Sequence, residues 1–375
     1  MAEAVTLLGC GDVGPIHGSV ENYGSLVRDT LLAADIRFAQ VERVYSTRGT
    51  LHPSSGGAHS RLPPPMASVF TDCGFNVVSV ASNHAMDWGG DALLDTIDLL
   101  RSRGIQTIGA GLNLAEARRP GVMKCNGLQV AFLAYCSILH DGYAAGPDRP
   151  GVAPLRAHTR YEPVDYQPGV PPRIITTPDA DDLAALVADV RSAKEAADNV
   201  VLSLHWGIHF VPRLIADYQK TVAHAAFEAG ADVILGHHAH VPKAIEVYAG
   251  HTCFYSLSNF IMSAPAKTEE AAAEFGARYG VVLDPAYPHL PYGTDAKRSL
   301  VAKAVMSNAA PTRTSFLPVI IDRNLRPELL QAGDPRFADM LSYMEWASDG
   351  FRHCFAVEGN EVIISAQPGG PDDLQ

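Results

Sequence analysis

The feature that most restricts this chain is a set of short, β-rich apolar runs, each stopping at a residue able to bind a cation. Val5-Thr6-Leu7-Leu8-Gly9-Cys10-Gly11 ends at Asp12, and Ile36-Arg37-Phe38-Ala39-Gln40-Val41 ends at Glu42. Val77-Val78-Ser79-Val80-Ala81-Ser82 ends at Asn83-His84. The run 200–204 ends at His205, and Val233-Ile234-Leu235-Gly236 ends at His237-His238-Ala239-His240. Runs that are apolar throughout, rather than alternately, belong to strands covered on both faces. In a largely parallel sheet the carboxyl ends of the strands share one edge, where ligands bind. These strands therefore deliver carboxylate, amide and imidazole groups to one place, a donor set suited to divalent cations. Singly, Asp12 reads as a turn residue, His205 as an interior histidine and Glu42 as a strand-end surface residue. Their coincidence is what points to a metal site. His238 and His240, two apart on an extended segment, face the same way.

Between the strands lie helical patterns, clearest at 179–197, where Thr177 can cap, Pro178 fits the first position and acidic residues load the first turn. Segments 91–103 and 214–228 read similarly, each followed by Gly before the next strand. The alternation predicts an α/β fold with helices or a second sheet as cover. Three stretches break it: 46–65, 137–173 and 262–303, the last read as a lid-like insertion. The expected organisation is a catalytic unit over 1–310 and a strand–helix–strand extension over 311–375.

Twenty-nine basic against forty-one acidic residues give a net charge of −12, which argues against a general nucleic-acid binder. No apolar run is long enough to cross a bilayer. The opening residues lack a basic n-region and a long apolar h-region, so the expectation is a cytoplasmic protein without a membrane partner. Six scattered cysteines with no C-x-x-C spacing read as reduced core thiols.

Several segments carry a resemblance. Gly11-Asp12, Ser82-Asn83-His84-Ala85-Met86-Asp87-Trp88-Gly89, Ser203-Leu204-His205-Trp206-Gly207, Gly236-His237-His238-Ala239-His240 and Tyr255-Ser256-Leu257-Ser258-Asn259-Phe260 resemble the bacterial capsule-synthesis CapA family, which is similar to the calcineurin-like metallophosphoesterases. The resemblance implies a four-layer α/β/β/α sandwich with a metal centre at the strand ends. It places Asp12, Glu42 and His240 at one metal, and Glu42, Asn83, His205 and His238 at a second, with the register between His237 and His238 open. His84 matches the family's acid/base histidine. Phosphoesterases carry His two residues after the first Asp, where this chain has Gly14, and Asp where it has Glu42. The first site is thereby more oxygen-rich, which favours Ca²⁺ or Mg²⁺, with Mn²⁺, Zn²⁺ or Fe²⁺ as alternatives.

Soluble members of the CapA-like group are also associated with lasso-peptide biosynthesis, where an epimerase inverts the Cα centre of the precursor's last residue, and this chain looks compatible with that branch. Such chemistry needs stabilisation of enolate-like charge and an acid/base group on each face of Cα. Histidine suits both roles, and a carboxylate can fix its tautomer. The candidates are His84 with Asp87, and Asp12 with one of His205, His238 or His240. Asp87 reads equally as a cap for the following helix. A two-metal phosphoester or amide hydrolase, related to poly-γ-glutamate metabolism, is the competing reading, and a peptide- or glycan-binding protein with a vestigial site is the third. The expected partner is a ribosomal precursor peptide, with Tyr287, Tyr292, Lys297 and Arg298 of the lid recognising an aromatic residue and a carboxylate.

Overall fold

The structure is a computed structural model that describes residues 4–17, 20–53, 55 and 57–366. The expectations for residues 1–3 and 367–375 lie outside the described residues.

Two large sheets organise the described chain. The first, of ten strands, runs in the order Cys354–Glu358, Glu361–Ser365, Arg313–Ile321, Arg298–Ser307, Ala4–Gly14, Ile36–Val41, Val77–Ser79, Gln106–Ile108; Asn259–Met262 and Pro327–Leu329 pair off this path. The second, of six, runs Ile245–Tyr248, His251–Phe254, Val233–His237, Asn199–His205, Leu128–Cys136, Gly121–Cys125. The strands that deliver candidate ligands are mutually parallel within each sheet, so their carboxyl ends lie along one edge, as continuous burial of these runs predicted.

Three apolar clusters separate four layers. Val5, Phe38, Phe132, Val201 and Leu235 from both sheets meet in the middle. Leu8, Ala39, Val78 and Val301 on the other face of the first sheet pack against Val69, Phe70 and Leu100 of its helices. Leu133, Leu202 and Ile234 of the second sheet pack against Leu186, Val190, Val222 and Ala226. The result is an α/β/β/α sandwich.

The helix at Ala180–Ala196 has Asp179 as its cap, its carboxylate accepting from the amides of Asp181 and Asp182. Thr177 and Pro178 instead close the strand Arg173–Pro178; the carboxylate outcompetes the hydroxyl because it accepts two amides at once. The 137–173 connection holds a hairpin arm, Ala157–Glu162, paired with that strand. The expected 262–303 insertion is shorter at both ends: Met262 closes a strand, and Arg298 opens one paired with Ala4–Gly14 through the sheet. Between them lies the helix Glu269–Tyr279. Strands after residue 310 extend the same sheet, and the helix Pro335–Ser348 contributes Phe337, Met340 and Met344 to the central cluster. Among the described residues no helix is long and apolar enough to cross a membrane, and all six cysteines are free thiols.

Candidate metal centre

At the shared edge the strand ends converge. The pairing of Ala4–Gly14 shifts register at Asp12 against both of its parallel neighbours, a bulge of the kind that re-aims a side chain. Gly11 lets the chain pass close to Ser258, where an added Cβ would lie 2.0 Å from the carbonyl oxygen. Asp12, Glu42 and His205 are fully buried, and one donor atom from each lies within 4.8 Å of the others. His205 Nε2 stands 2.7 Å from Asn83 Oδ1, 3.2 Å from His238 Nδ1 and 3.7 Å from Glu42 Oε2. His240 Nδ1 lies 3.5 Å from Asp12 Oδ2, while its Nε2 lies 3.9 Å from Glu42 Oε1. Glu42 thus sits between a group containing His205, Asn83 and His238 and a group containing His240 and Asp12.

The loop after Val233–His237 turns its imidazoles inward through backbone strain, with φ +88° at His238 and +56° at His240. Non-glycine residues rarely adopt such values, and they cluster at functional sites. His237 ends the strand, wholly buried against the Phe38 ring and 3.3 Å from Asp12 Oδ1. His238, not His237, therefore meets His205.

Whether these residues fit a cation is answered by their unsatisfied atoms. Asp12 Oδ1 and Glu42 Oε1 are buried without a hydrogen-bond donor among the described residues, which is costly unless a positive charge compensates. Burial, then the Asp12 charge, pushes the Glu42 carboxyl well above its ordinary range. Burial holds His205 and His238 well below the usual histidine value and His240 at about 4, so all three are neutral, the form that ligates metals. Asn259 Oδ1 lies 2.7 Å from His240 Nδ1, which keeps the proton there and leaves Nε2 with its lone pair. A nitrogen pair 3.2 Å apart, as at His205 and His238, matches the edge of a coordination shell with bonds of about 2.1 Å. The residues fit a divalent ion.

Beside this cluster lies a cavity of about 490 Å³ lined by His84, His59, His209, His240, Arg43 and the aromatic rings Phe210, Phe275, Tyr279 and Tyr292. Asp87 Oδ2 lies 2.8 Å from His84 Nδ1, and the Tyr143 hydroxyl donates to Asp87 Oδ1 at 2.7 Å. Asp87 does not cap the next helix, Gly89–Ser102, whose cap position is Trp88 without a side-chain bond. Burial lowers the His84 pKa and the Asp87 hydrogen bond opposes it.

Of the four lid residues, Tyr292 reaches the cavity, its ring stacked 4.4 Å from His240 at 8°. Tyr287 lines a separate hollow. Lys297 and Arg298 do not reach the cavity, because each is consumed by internal ion pairs, Lys297 with Asp284 at 2.7 Å and Arg298 with Asp295 and Asp339. His205 is too deeply buried to touch a molecule in the cavity. Of the three histidines expected beside Asp12, His240 brings its ring within 3.5 Å and His238 its backbone amide within 3.4 Å, while His237 also lies 3.3 Å away. Sequence reasoning missed Arg43, His209, Phe210 and Phe275. His209 follows His205 by one helical turn's spacing in a Gly-containing loop, the one signal available.

At the place of the missing phosphoesterase histidine the structure is filled. A Cβ on Gly14 would stand 2.6 Å from Arg43 Cγ, 3.2 Å from Met262 Sδ and 3.4 Å from Glu42 Cβ. The Arg43 stem occupies the space a ligand side chain would need.

The PGA biosynthesis protein CapA of Bacillus subtilis is 32% identical to this chain over 204 residues, 54% of this chain and 47% of that protein, so the chain matches about half of that relative's length. A probable polyglutamine synthesis accessory protein of Mycobacterium tuberculosis is 28% identical over 301 residues, 79% of this chain and 70% of that one. Among solved structures, the calcineurin-like phosphoesterase YfkN of Bacillus subtilis aligns with 84% of this chain and 91% of its own at 13% identity and a TM-score of 0.37. The profile described as bacterial capsule synthesis protein PGA_cap matches residues 15–264, the stretch that carries all but the first of the converging strand ends, and the chain belongs to that CapA-type family.

Proposed function

We propose that the protein is a metal-dependent acid–base enzyme that inverts the Cα centre at the carboxy-terminal residue of a peptide, of the lasso-precursor type. Arg43 filling the space beside Gly14 carries this reading. The Arg43 stem stands where a two-metal enzyme needs another ligand, and the charge it brings beside Glu42 opposes a second dication. Two-metal hydrolysis needs both ions to clamp the attacking and leaving oxygens, whereas proton transfer at carbon does not.

Asp12, Glu42, Asn83, His205, His238 and His240 are the residues that would hold the ion. Three imidazoles alongside three oxygen donors suit Mn²⁺, Fe²⁺ or Zn²⁺ as well as Ca²⁺ or Mg²⁺. A bound cation supplies positive charge for the developing enolate-like oxygen. The protein's own residues move the proton. Asp87, held by Tyr143, keeps the His84 proton on Nδ1, leaving Nε2 free to take or return a proton at the substrate. The opposite face needs a second imidazole, for which His59 and His209, which also line the cavity, are the candidates.

Family membership and the position of Glu42 between the two donor groups favour the second reading, a phosphoester or amide hydrolase. The names of the relatives concern PGA and polyglutamine, which supports a peptide-type substrate in either case. Incubation with a precursor peptide in deuterated water separates the two. Uptake of one deuterium with an altered terminal stereocentre and no cleavage is expected; release of phosphate or a fragment without uptake establishes the hydrolase.

A further inference from the structure

Arg43 follows a candidate ligand directly, yet it is only 2% exposed and its Nε and Nη1 have no hydrogen-bond partner among the described residues. It lines the cavity. An arginine buried with free donors is costly unless something completes it. The Glu42 charge and the Tyr292 hydroxyl interact with Arg43 and offset part of this cost, yet Nε and Nη1 stay unmet; of the other cavity cations, Arg278 pairs with Glu274 at 2.6 Å and Lys267 lies 4.8 Å over the Phe275 ring. In a chain with forty-one acidic residues, no carboxylate among the described residues lines this cavity. Arg43, His59 and His84 all line this one cavity, and after burial the Arg43 charge is the next cause lowering the His59 pKa.

Another part of the cavity lining is aromatic. Phe210 has ring centroids of Phe275 and Tyr279 at 4.9 Å each and that of Tyr292 at 5.5 Å, the last parallel within 3°. Phe210 is held at φ +60°, and its loop is tied down by Lys243, which donates to the carbonyls of Val211 and Leu214. A wall of this kind binds a flat apolar side chain through area and ring geometry.

We infer that Arg43 is the anion anchor of the cavity, binding the free carboxylate of a peptide whose last side chain is large and aromatic and packs on the Phe210 wall. This rests on the peptide reading above. Arginine matches a carboxylate with two parallel bonds, and the carboxylate so held leaves the adjoining Cα beside His84. Arg43 is a substrate-binding residue in this assignment and transfers no proton.

Calorimetric titration of the intact protein with N-acetyl-glycyl-phenylalanine, its amide, N-acetyl-glycyl-alanine and inorganic phosphate tests it. The acid is expected to bind about tenfold or more tightly than the amide, and more tightly than the alanine acid and phosphate. Arg43→Met should bring the acid down to the affinity of the amide, Arg43→Lys should retain part of the preference, and Phe275→Ala should narrow the gap between phenylalanine and alanine. Equal binding of acid and amide, or an acid preference surviving in a folded Arg43→Met, overturns the assignment. Phosphate binding more tightly than the acid overturns it in favour of a phosphate ester. Should Arg43→Met not fold, the wild-type acid/amide comparison decides. Acid preference without deuterium uptake rejects the epimerase while keeping the anchor, and uptake without acid preference does the reverse.

Discussion

His84 Nδ1 and Asp87 Oδ2 lie 2.8 Å apart in one turn, and that turn is fastened to the donor cluster through Ser82, whose hydroxyl accepts from the His84 amide at 3.0 Å and donates to Glu42 Oε2 at 2.8 Å. The His84–Asp87 pair and the carboxylate between the two donor groups are therefore both bonded to a single side chain.

Asp87→Asn keeps the shape but no longer fixes the imidazole tautomer. Proton exchange at the substrate Cα should fall by roughly 10²–10⁴-fold with the melting temperature little changed, and His84→Ala should do the same. Tyr143→Phe, which removes the bond to Asp87 Oδ1, should cost about tenfold or less. The pH profile carries a sign. Asp87 raises the His84 pKa against burial, so any residual activity of Asp87→Asn that needs neutral His84 should have its acid limb at lower pH. An unshifted limb, read by deuterium wash-in across pH, would show that His84 is not the titrating base.

Removing the metal should loosen the fold locally, because the buried oxygens Asp12 Oδ1 and Glu42 Oε1 have no hydrogen-bond donor among the described residues. A ligand that binds only the folded state stabilises it by mass action, about 2.7 kcal/mol at a hundredfold excess over Kd. Chelation should thus lower the melting temperature by several degrees, reversibly on adding Mn²⁺ or Ca²⁺, and Glu42→Gln should abolish that response. Elemental analysis should give one equivalent per chain rather than two.

Much of this was legible in the sequence, and for one reason. Asp12, Glu42, Asn83 and His205 each follow a run buried on both faces, so a local pattern already stated which end of which strand they occupied. The parts that were not legible depend on partners distant in the chain. Arg298 and Lys297 look like free cations on a polar stretch, and only the fold shows Asp339 and Asp284 neutralising them. Arg43 looks like an ordinary surface charge after a strand, and only the approach of Gly14, Met262 and Tyr292 encloses it. Phe210 projects from an irregular loop at positive φ, a conformation that no periodicity encodes.

Lys243 makes a separate test of the loop that carries His209 and Phe210. It is 2% exposed, and burial pushes its pKa from 10.5 down to about 7. Between those values the unfolded chain holds a proton that the folded chain lacks, so stability should rise with pH across that window, by at most about 1.4 kcal/mol per pH unit. The penalty is fully present below pH 7 and relieved towards 10.5. Lys243→Met should flatten the profile in urea melts over this range. It should also weaken substrate binding, because the carbonyls of Val211 and Leu214 lose their donor. An unchanged slope would mean that the ammonium is solvated in the folded protein.

The crowding at Gly14 offers the most direct test of why this site departs from a two-metal phosphoesterase. Gly14→His alone must push aside Arg43 Cγ, 2.6 Å from its Cβ, and Met262 Sδ at 3.2 Å. Overpacking of this order costs about 1–3 kcal/mol, so the single variant should be destabilised and still bind one ion. Pairing it with Arg43→Ala removes the nearest steric block and the opposing charge. The double variant should regain stability relative to Gly14→His, take up a second equivalent of Mn²⁺ or Zn²⁺, and begin to hydrolyse p-nitrophenyl phosphate while losing deuterium exchange on peptide. The two readouts, metal stoichiometry and ester cleavage, are independent of each other. If the double variant folds well yet stays at one equivalent, the arginine is not what keeps the second ion out, and the case for proton transfer over hydrolysis loses its physical basis.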